Sequence, residues 1–111
     1  MEAENESREA IQLEWTFLSN HGHVLLSIAR EPGIRLRDVA ERVGITERAV
    51  HRIVSDLEEA GYLTRSKEGR RNRYEIHVHR RLRHPVVAHR ELNALLDLIL
   101  GPGPSSSSEA T

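Results

Sequence analysis

A single glycine between two segments of helical periodicity constrains the fold most strongly. Apolar residues recur on one helical face from residue 38 to 43 and again from residue 47 to 60. Gly44 stands between the segments, where a left-handed residue turns the chain sharply, and the hydroxyl of Thr46 can cap the second helix. The inward-facing residues are Val39, Ala40, Val43, Val50, Ile53, Val54 and Leu57. The sequence therefore predicts two helices, Asp38 to Val43 and Glu47 to Ala60, joined by a tight turn.

Further helices and a β-hairpin are predicted around this pair. Apolar spacing indicates the helices, and Pro85 is favoured at a first helical position. Alternating residues indicate the hairpin, with a turn near Gly69. The additional helices cover about residues 8–18, 21–30 and 85–100, and the strands cover residues 34–36, 62–65 and 73–78.

Both ends of the chain lack apolar surface. Residues 1–7 are polar, and residues 101–111 read GPGPSSSSEAT. Segments of this composition cannot bury enough apolar surface to fold, so both ends are predicted to be disordered. We therefore expect one domain over residues 8–100, mainly α-helical with a small β-hairpin.

The composition excludes several classes of protein. The chain has no cysteine, which removes disulfides, thiolate metal sites and a cysteine nucleophile. No apolar run approaches the roughly 18 residues of a membrane helix, and the acidic start is unlike a signal peptide. An intracellular, cytoplasmic protein is the expectation.

The distribution of charge is more informative than the net charge of -1. Residues 1–14 contain five glutamates and one arginine, whereas residues 62–84 contain eight lysines or arginines and two glutamates. Positive charge is therefore concentrated around the predicted hairpin, as expected where a surface binds nucleic acid.

The helix from Glu47 to Ala60 presents a polar face opposite its apolar one. Arg48 and Arg52 lie four residues apart on that face, and arginine can bind guanine with two hydrogen bonds in the major groove. The alternative is that both arginines pair with Glu47, Asp56 or other carboxylates on a solvated face. The candidate base- and backbone-contacting residues of this helix are Glu47, Arg48, His51, Arg52 and Ser55.

The hairpin and two helix starts add candidate phosphate contacts. Arg37 and Thr46 lie near helix N-termini, where phosphate can be held, although Thr46 can serve as a cap alone. Cations near the hairpin turn can enter a minor groove or contact phosphates, and the alternative is a solvated hairpin. The hairpin candidates are Lys67, Arg70, Arg71 and Arg73.

The segment LRDVAERVGITERAVHRIVSDLEEAGYLTR resembles winged helix-turn-helix transcriptional regulators of the MarR and ArsR kind. The resemblance covers about residues 20–80 and includes the position of the wing, Thr64 to Tyr74. It implies a homodimer that binds double-stranded DNA at a pseudo-palindromic operator. The thiolate motif of the metal-sensing branch is absent. The matching residues are Ala40, Gly44, Ile45, Thr46, Val50, Leu57, Ala60, Gly61, Tyr62 and Leu63.

A dimer interface is predicted from apolar residues near the two ends of the domain. Residues 88, 92, 95 and 99 follow a spacing similar to a coiled-coil seam. The alternative is ordinary packing onto the core of one subunit. The predicted interface residues are Ile11, Trp15, Leu18, Ala88, Leu92, Leu95, Leu96 and Ile99.

The leading hypothesis is a sequence-specific regulator that places helix 47–60 in the major groove and wing 64–74 on the flanking backbone or minor groove. The alternatives are a winged-helix protein-interaction module and a small-molecule or metal sensor of the same fold. Neither a metal site nor a cofactor is expected, since the seven histidines match no ligand motif. An enzyme is not expected either, because no phosphate loop or nucleophile with its base is recognisable.

Overall fold

A computed structural model describes residues 13–101 of the 111-residue chain. Within this range the chain forms four α-helices and one antiparallel β-hairpin. The elements are α1 (Asn20–Arg30), α2 (Leu36–Val43), α3 (Glu47–Glu59), β1 (Leu63–Glu68), β2 (Arg71–Ile76) and α4 (Leu92–Leu100). The predicted fold class, mainly helical with a β-hairpin wing, is confirmed.

The turn between α2 and α3 forms as the sequence predicts. Gly44 takes a left-handed φ of 89° and donates its N–H to the carbonyl of Ala40 at 2.8 Å. The Thr46 side chain accepts a hydrogen bond from the N–H of Ala49 at 3.0 Å and caps α3. These two local contacts fix the angle at which α3 leaves α2.

One hydrophobic core holds the helices and the base of the hairpin together. Helices α1, α2 and α3 pack on one another, while α4 packs on α1 and β1 packs on α3. Full burial of one such aliphatic side chain stabilises the fold by about 1.5–3 kcal/mol. The most deeply buried side chains are Val24, Ile28, Val39, Val50, Val54 and Leu92.

The hairpin is the wing of the fold, and it projects from the core. Its pairing runs from Leu63 opposite Ile76 to Glu68 opposite Arg71, and Gly69 turns the chain with a φ of 69°. The strands extend further towards the turn than predicted. Strand β2 ends at Ile76 rather than at residue 78, because the Val78 carbonyl accepts from the N–H of Asn93 instead, at 2.8 Å.

Two predictions before α2 are wrong for the residues that the structure describes. Residues 34–36 form no strand: Ile34 is buried in the core, and Leu36 begins α2. Residues 13–18 form bends rather than the end of a helix, and residues 8–12 lie outside the described range. Trp15 and Phe17 pack edge to face with ring centroids 5.1 Å apart and remain 69% and 92% exposed. The side chains of this segment therefore lie largely in solvent and not on the buried face of a helix.

The last helix is shorter than predicted. Residues 84–90 form turns, and α4 begins at Leu92 rather than at Pro85. The N–H of Leu82 donates to Arg90 O at 3.0 Å, and the N–H of Leu92 donates to Arg80 O at 2.8 Å. These bonds join two distant segments, and a helix starting at residue 85 would prevent them. No helix among the described residues is long and apolar enough to cross a membrane.

Candidate nucleic-acid interface

One face of α3 is open to solvent along most of its length. Its opposite face is held in the core by Val50, Ile53, Val54 and Leu57, so helical geometry turns the polar residues outwards. All five residues predicted on this polar face are exposed, namely Glu47, Arg48, His51, Arg52 and Ser55. The face is therefore available to a partner.

Two carboxylates of this helix each lie beside a histidine. Glu47 lies 3.5 Å from His51 Nε2, and Asp56 lies 2.9 Å from Nε2 of His21 at the start of α1. Within residues 13–101, Arg48 and Arg52 form no ion pair or side-chain hydrogen bond. Among the described residues, Glu47 and Asp56 pair with histidines and not with these two arginines.

The predicted phosphate contacts at the helix starts are both exposed. Thr46 uses its hydroxyl oxygen to accept from Ala49, which leaves its O–H able to donate elsewhere. Arg37 lies in the first turn of α2 and is exposed. Cap and phosphate contact are therefore compatible at Thr46.

The four cations of the wing divide into two pairs. Arg71 donates to the carbonyl of Gly33, and Arg73 lies 3.7 Å from Glu68. Lys67 and Arg70 are exposed and take no ion-pair partner among the described residues. Since Gly33 precedes α2, the contact from Arg71 also ties the wing to the body of the domain.

A second contact joins the wing to α3, and the sequence did not predict it. Arg65 of β1 donates to both carboxylate oxygens of Glu58, at 2.9 and 3.2 Å, and its guanidinium lies 6.0 Å from the ring centre of Tyr74. The hydrogen bond from Arg65 lowers the pKa of Glu58, and the same bond raises the pKa of Arg65. This contact fixes the orientation of the wing relative to α3. No local pattern marks it, because the partners belong to different elements.

The residues predicted for a dimer interface fall into different environments. Leu92 is 1% exposed within its own subunit, and Leu95 and Leu96 are half-buried against that core. Ala88 and Leu18 are also half-buried, Trp15 and Ile99 are exposed, and Ile11 lies outside the described residues. The most exposed large apolar side chains that the prediction omitted are Leu13, Phe17, Val86 and Leu98.

A cavity of about 380 Å³ lies beside this apolar surface. Its lining comes from four parts of the chain, namely Leu13 and Thr16, helix α1, the end of α2 and the end of α4. The lining is mainly apolar, with His23, Arg30 and Arg42 as its basic groups. Among the described residues, no group of three or more histidines and carboxylates is placed to hold a metal ion.

Comparison with known proteins agrees with this architecture. Residues 19–64, from the cap of α1 into β1, match a family model for winged helix-turn-helix DNA-binding domains. Over these residues the chain is therefore similar to winged helix-turn-helix DNA-binding domains.

A solved structure similar to this chain is that of the PcaV transcriptional regulator from Streptomyces coelicolor in complex with its natural ligand. The two chains are 25% identical with a TM-score of 0.48, over 98% of this chain and 78% of that one. No curated protein sequence matches the chain significantly.

Proposed function

We propose that this protein is a transcriptional regulator that recognises a specific sequence in double-stranded DNA as a homodimer. The exposed face of α3 enters the major groove, and the wing contacts the flanking backbone or minor groove. The observation that carries this proposal is the pair Arg48 and Arg52. Both are exposed on α3, and the carboxylates beside them are paired with histidines.

The chemistry of α3 suits base recognition. Arg48 and Arg52 each present a guanidinium that can bind the O6 and N7 atoms of guanine. Glu47 can accept a hydrogen bond from a cytosine amine, while His51 and Ser55 can reach bases or phosphates. A recognition helix reads bases mainly with its N-terminal half, which is where Arg48 lies.

The wing contributes affinity rather than sequence preference in this proposal. Lys67 and Arg70 are the wing cations without an ion-pair partner in the described structure, so they can neutralise phosphates and release counterions. Arg71 contributes first to holding the wing against the body of the domain, through Gly33, whereas Arg73 pairs with Glu68 within the wing. Thr46 and Arg37 add backbone contacts at the helix starts.

A homodimer places two copies of α3 on one side of the DNA. The apolar residues Leu13, Phe17, Leu98 and Ile99 are exposed, and the cavity lining brings Leu13 close to Ile99. Exposed apolar patches of this kind often mark protein interfaces. We therefore assign the dimer contact to the exposed residues, with Leu92 part of the core of each subunit.

The test compares alanine variants on a DNA duplex chosen by its binding to the unmodified protein. Arg48→Ala and Arg52→Ala should each weaken binding to that site by about 1–3 kcal/mol and relax the preference at one base position. Lys67→Ala and Arg70→Ala should weaken binding to all sequences alike and reduce the salt dependence. Arg90→Ala, an exposed arginine in the turns before α4, is the charge-matched control.

Two outcomes would overturn the proposal. Binding by Arg48→Ala and Arg52→Ala that equals that of the control would remove α3 as the reading element. Failure of the unmodified protein to bind mixed duplex DNA at low salt would favour a protein-interaction module instead, because electrostatic binding is strongest there.

The cavity supports a second candidate function, control of DNA binding by a small molecule. Its apolar lining, with Arg30 as a cation that takes no ion-pair partner among the described residues, suits a ligand with an apolar body and an anionic group. Such a ligand would raise the melting temperature of the protein, and at equal concentration a ligand that binds more tightly would raise it more. Benzoate should then stabilise the protein more than benzylamine at equal concentration. Equal effects of the two probes would argue against an anion-selective cavity.

A further inference from the structure

We propose that the acidic N-terminal segment, residues 1–12, docks on the cationic face of α3 and the wing when DNA is absent and competes with DNA for it. The cationic face is defined by Arg37, Arg48, Arg52, Lys67 and Arg70. The competition part of this inference rests on the proposed function, whereas the docking part does not.

The charges of the two partners are complementary. Residues 1–12 contain four glutamates and one arginine. Residues 13–101 contain fifteen lysines or arginines and twelve aspartates or glutamates, so the described domain is cationic although the whole chain is not. The negative balance of the protein comes from the ends of the chain, chiefly from this segment.

The cations of the cationic face are available to the carboxylates of such a segment. Its five cations take no carboxylate partner within residues 13–101. In contrast, Arg42, Arg65 and Arg73 are already paired with Glu31, Glu58 and Glu68. The four glutamates of the segment are therefore matched by five exposed cations that form no ion pair with a carboxylate of the described residues.

The segment is long enough to reach this face from its attachment point. Twelve extended residues span up to about 40 Å, and the longest dimension of the molecule is 40 Å. A tether of this length holds its end at an effective concentration on the order of millimolar. Contacts too weak to be seen between separate molecules are then sufficient to occupy the face for part of the time.

DNA carries a much higher density of negative charge and displaces such a segment from a cognate site. Non-specific DNA competes less effectively with the segment, because its binding is almost wholly electrostatic and lacks the contacts to bases. The segment would therefore weaken non-specific binding relative to specific binding.

The docking experiment uses the absence of cysteine in the chain. A spin label on Ala3→Cys should broaden the amide signals of residues 47–55 and 67–70 in the full-length protein at low salt. The broadening should disappear in high salt and in the variant E2Q/E4Q/E6Q/E9Q. The same label on Ala110→Cys, in a tail with one carboxylate side chain at Glu109, is the matched control and should broaden neither region. Absent broadening, or equal broadening from both labels, would overturn the inference.

The competition experiment measures DNA affinity without labels. The variant E2Q/E4Q/E6Q/E9Q should bind mixed-sequence duplex about two- to tenfold more tightly than the unmodified protein at low salt, with a smaller gain on a selected site. Equal gains on both duplexes, or no gain, would contradict competition at this face. If neither protein binds DNA, the proposed function fails, and the spin-label result still decides whether the segment docks.

Discussion

Charged side chains that have a partner in the domain help to hold it together, whereas charged side chains without one remain available for binding. Arg65 and Arg71 both lie in the wing, yet their hydrogen bonds reach Glu58 on α3 and Gly33 before α2. Arg48 and Arg52 take no such partner within residues 13–101. The five residues that the sequence predicted on the polar face of α3 are all exposed, but the sequence did not distinguish Arg71 from Arg70. That distinction depends on a contact across 38 residues of the chain.

The two buried tyrosines provide a matched comparison of hydrogen bonding. Tyr62 Oη donates to the carbonyl of Arg81 at 2.6 Å, whereas Tyr74 Oη is enclosed without a hydrogen bond of normal geometry. Burial raises the pKa of Tyr74, and Arg65 and Asn72 offset that rise only in part. Tyr62→Phe should lower the free energy of unfolding by about 1–2 kcal/mol, and Tyr74→Phe should leave it unchanged or raise it.

Urea unfolding of both phenylalanine variants checks this prediction. Equal destabilisation by the two substitutions would mean that the Tyr74 hydroxyl has a partner in solution comparable to that of Tyr62.

The Glu58–Arg65 pair should make a small, pH-dependent contribution to stability. Because Arg65 lowers the pKa of Glu58 in the folded state, the pair stabilises the fold above the unfolded pKa and loses this effect as pH falls through the folded pKa. The side chains of Arg65 and Glu58 are 35% and 29% exposed, so solvent screening limits the contribution to about 0.5–1 kcal/mol. Glu58→Gln should therefore lower the free energy of unfolding by this amount at neutral pH.

Unfolding curves for Glu58→Gln at neutral and acidic pH supply the measurement. The difference from the unmodified protein should narrow as the pH is lowered, with Glu59→Gln as the exposed neighbouring control. A deficit that does not change with pH would show that the carboxylate charge is not its source.

At the scale of elements, the boundaries that local residues determine were predicted more accurately than the boundaries that depend on contacts between separate segments. Helix α3 ends within one residue of its predicted boundary because Gly44, Thr46 and Gly61 act locally. Helix α4 begins at Leu92, since backbone bonds between residues 80–82 and 90–92 displace a helical start at Pro85. Of residues 88, 92, 95 and 99, only the last three lie on a helix.

The cap of α3 is the element-scale feature most open to test. Thr46→Ala removes the acceptor for the Ala49 N–H and should lower the free energy of unfolding by about 1 kcal/mol. Thr46→Ser keeps that acceptor and should cost much less. Chemical denaturation measures both effects. If Thr46→Ser is as unstable as Thr46→Ala, the hydroxyl is not the source of the stability.

At the scale of the whole molecule, the monomer leaves apolar surface uncovered where residues 13–17 and α4 meet. Phe17 is 92% exposed and Leu98 is 78% exposed, although Leu92 of α4 is buried and Leu95 and Leu96 are half-buried. The sequence identified a surplus of apolar residues in the last helix. It could not indicate which of them would be enclosed by the same subunit, because that depends on the packing of α4 against α1.

A charge placed on this surface should separate the subunits. Leu98→Glu would put a carboxylate into the proposed interface, where burial of an unpaired charge is strongly unfavourable. Sedimentation analysis should give a dimer for the unmodified protein and a monomer with unchanged helical content for the variant. Glu68→Leu, at the tip of the wing, is a control that should remain dimeric. A monomeric unmodified protein at all concentrations would refute the proposed interface.

In the proposed function, α3 reads bases and two copies of it act together. Selection of bound sequences from a random pool of DNA duplexes tests both parts. The selected pool should be enriched in a pseudo-palindrome whose half-sites lie about 10–10.5 base pairs apart, or a multiple of that distance. One base position should lose its preference when the selection is repeated with Arg48→Ala or Arg52→Ala. Recovery of no common sequence, or of one that both variants select unchanged, would contradict the proposed function.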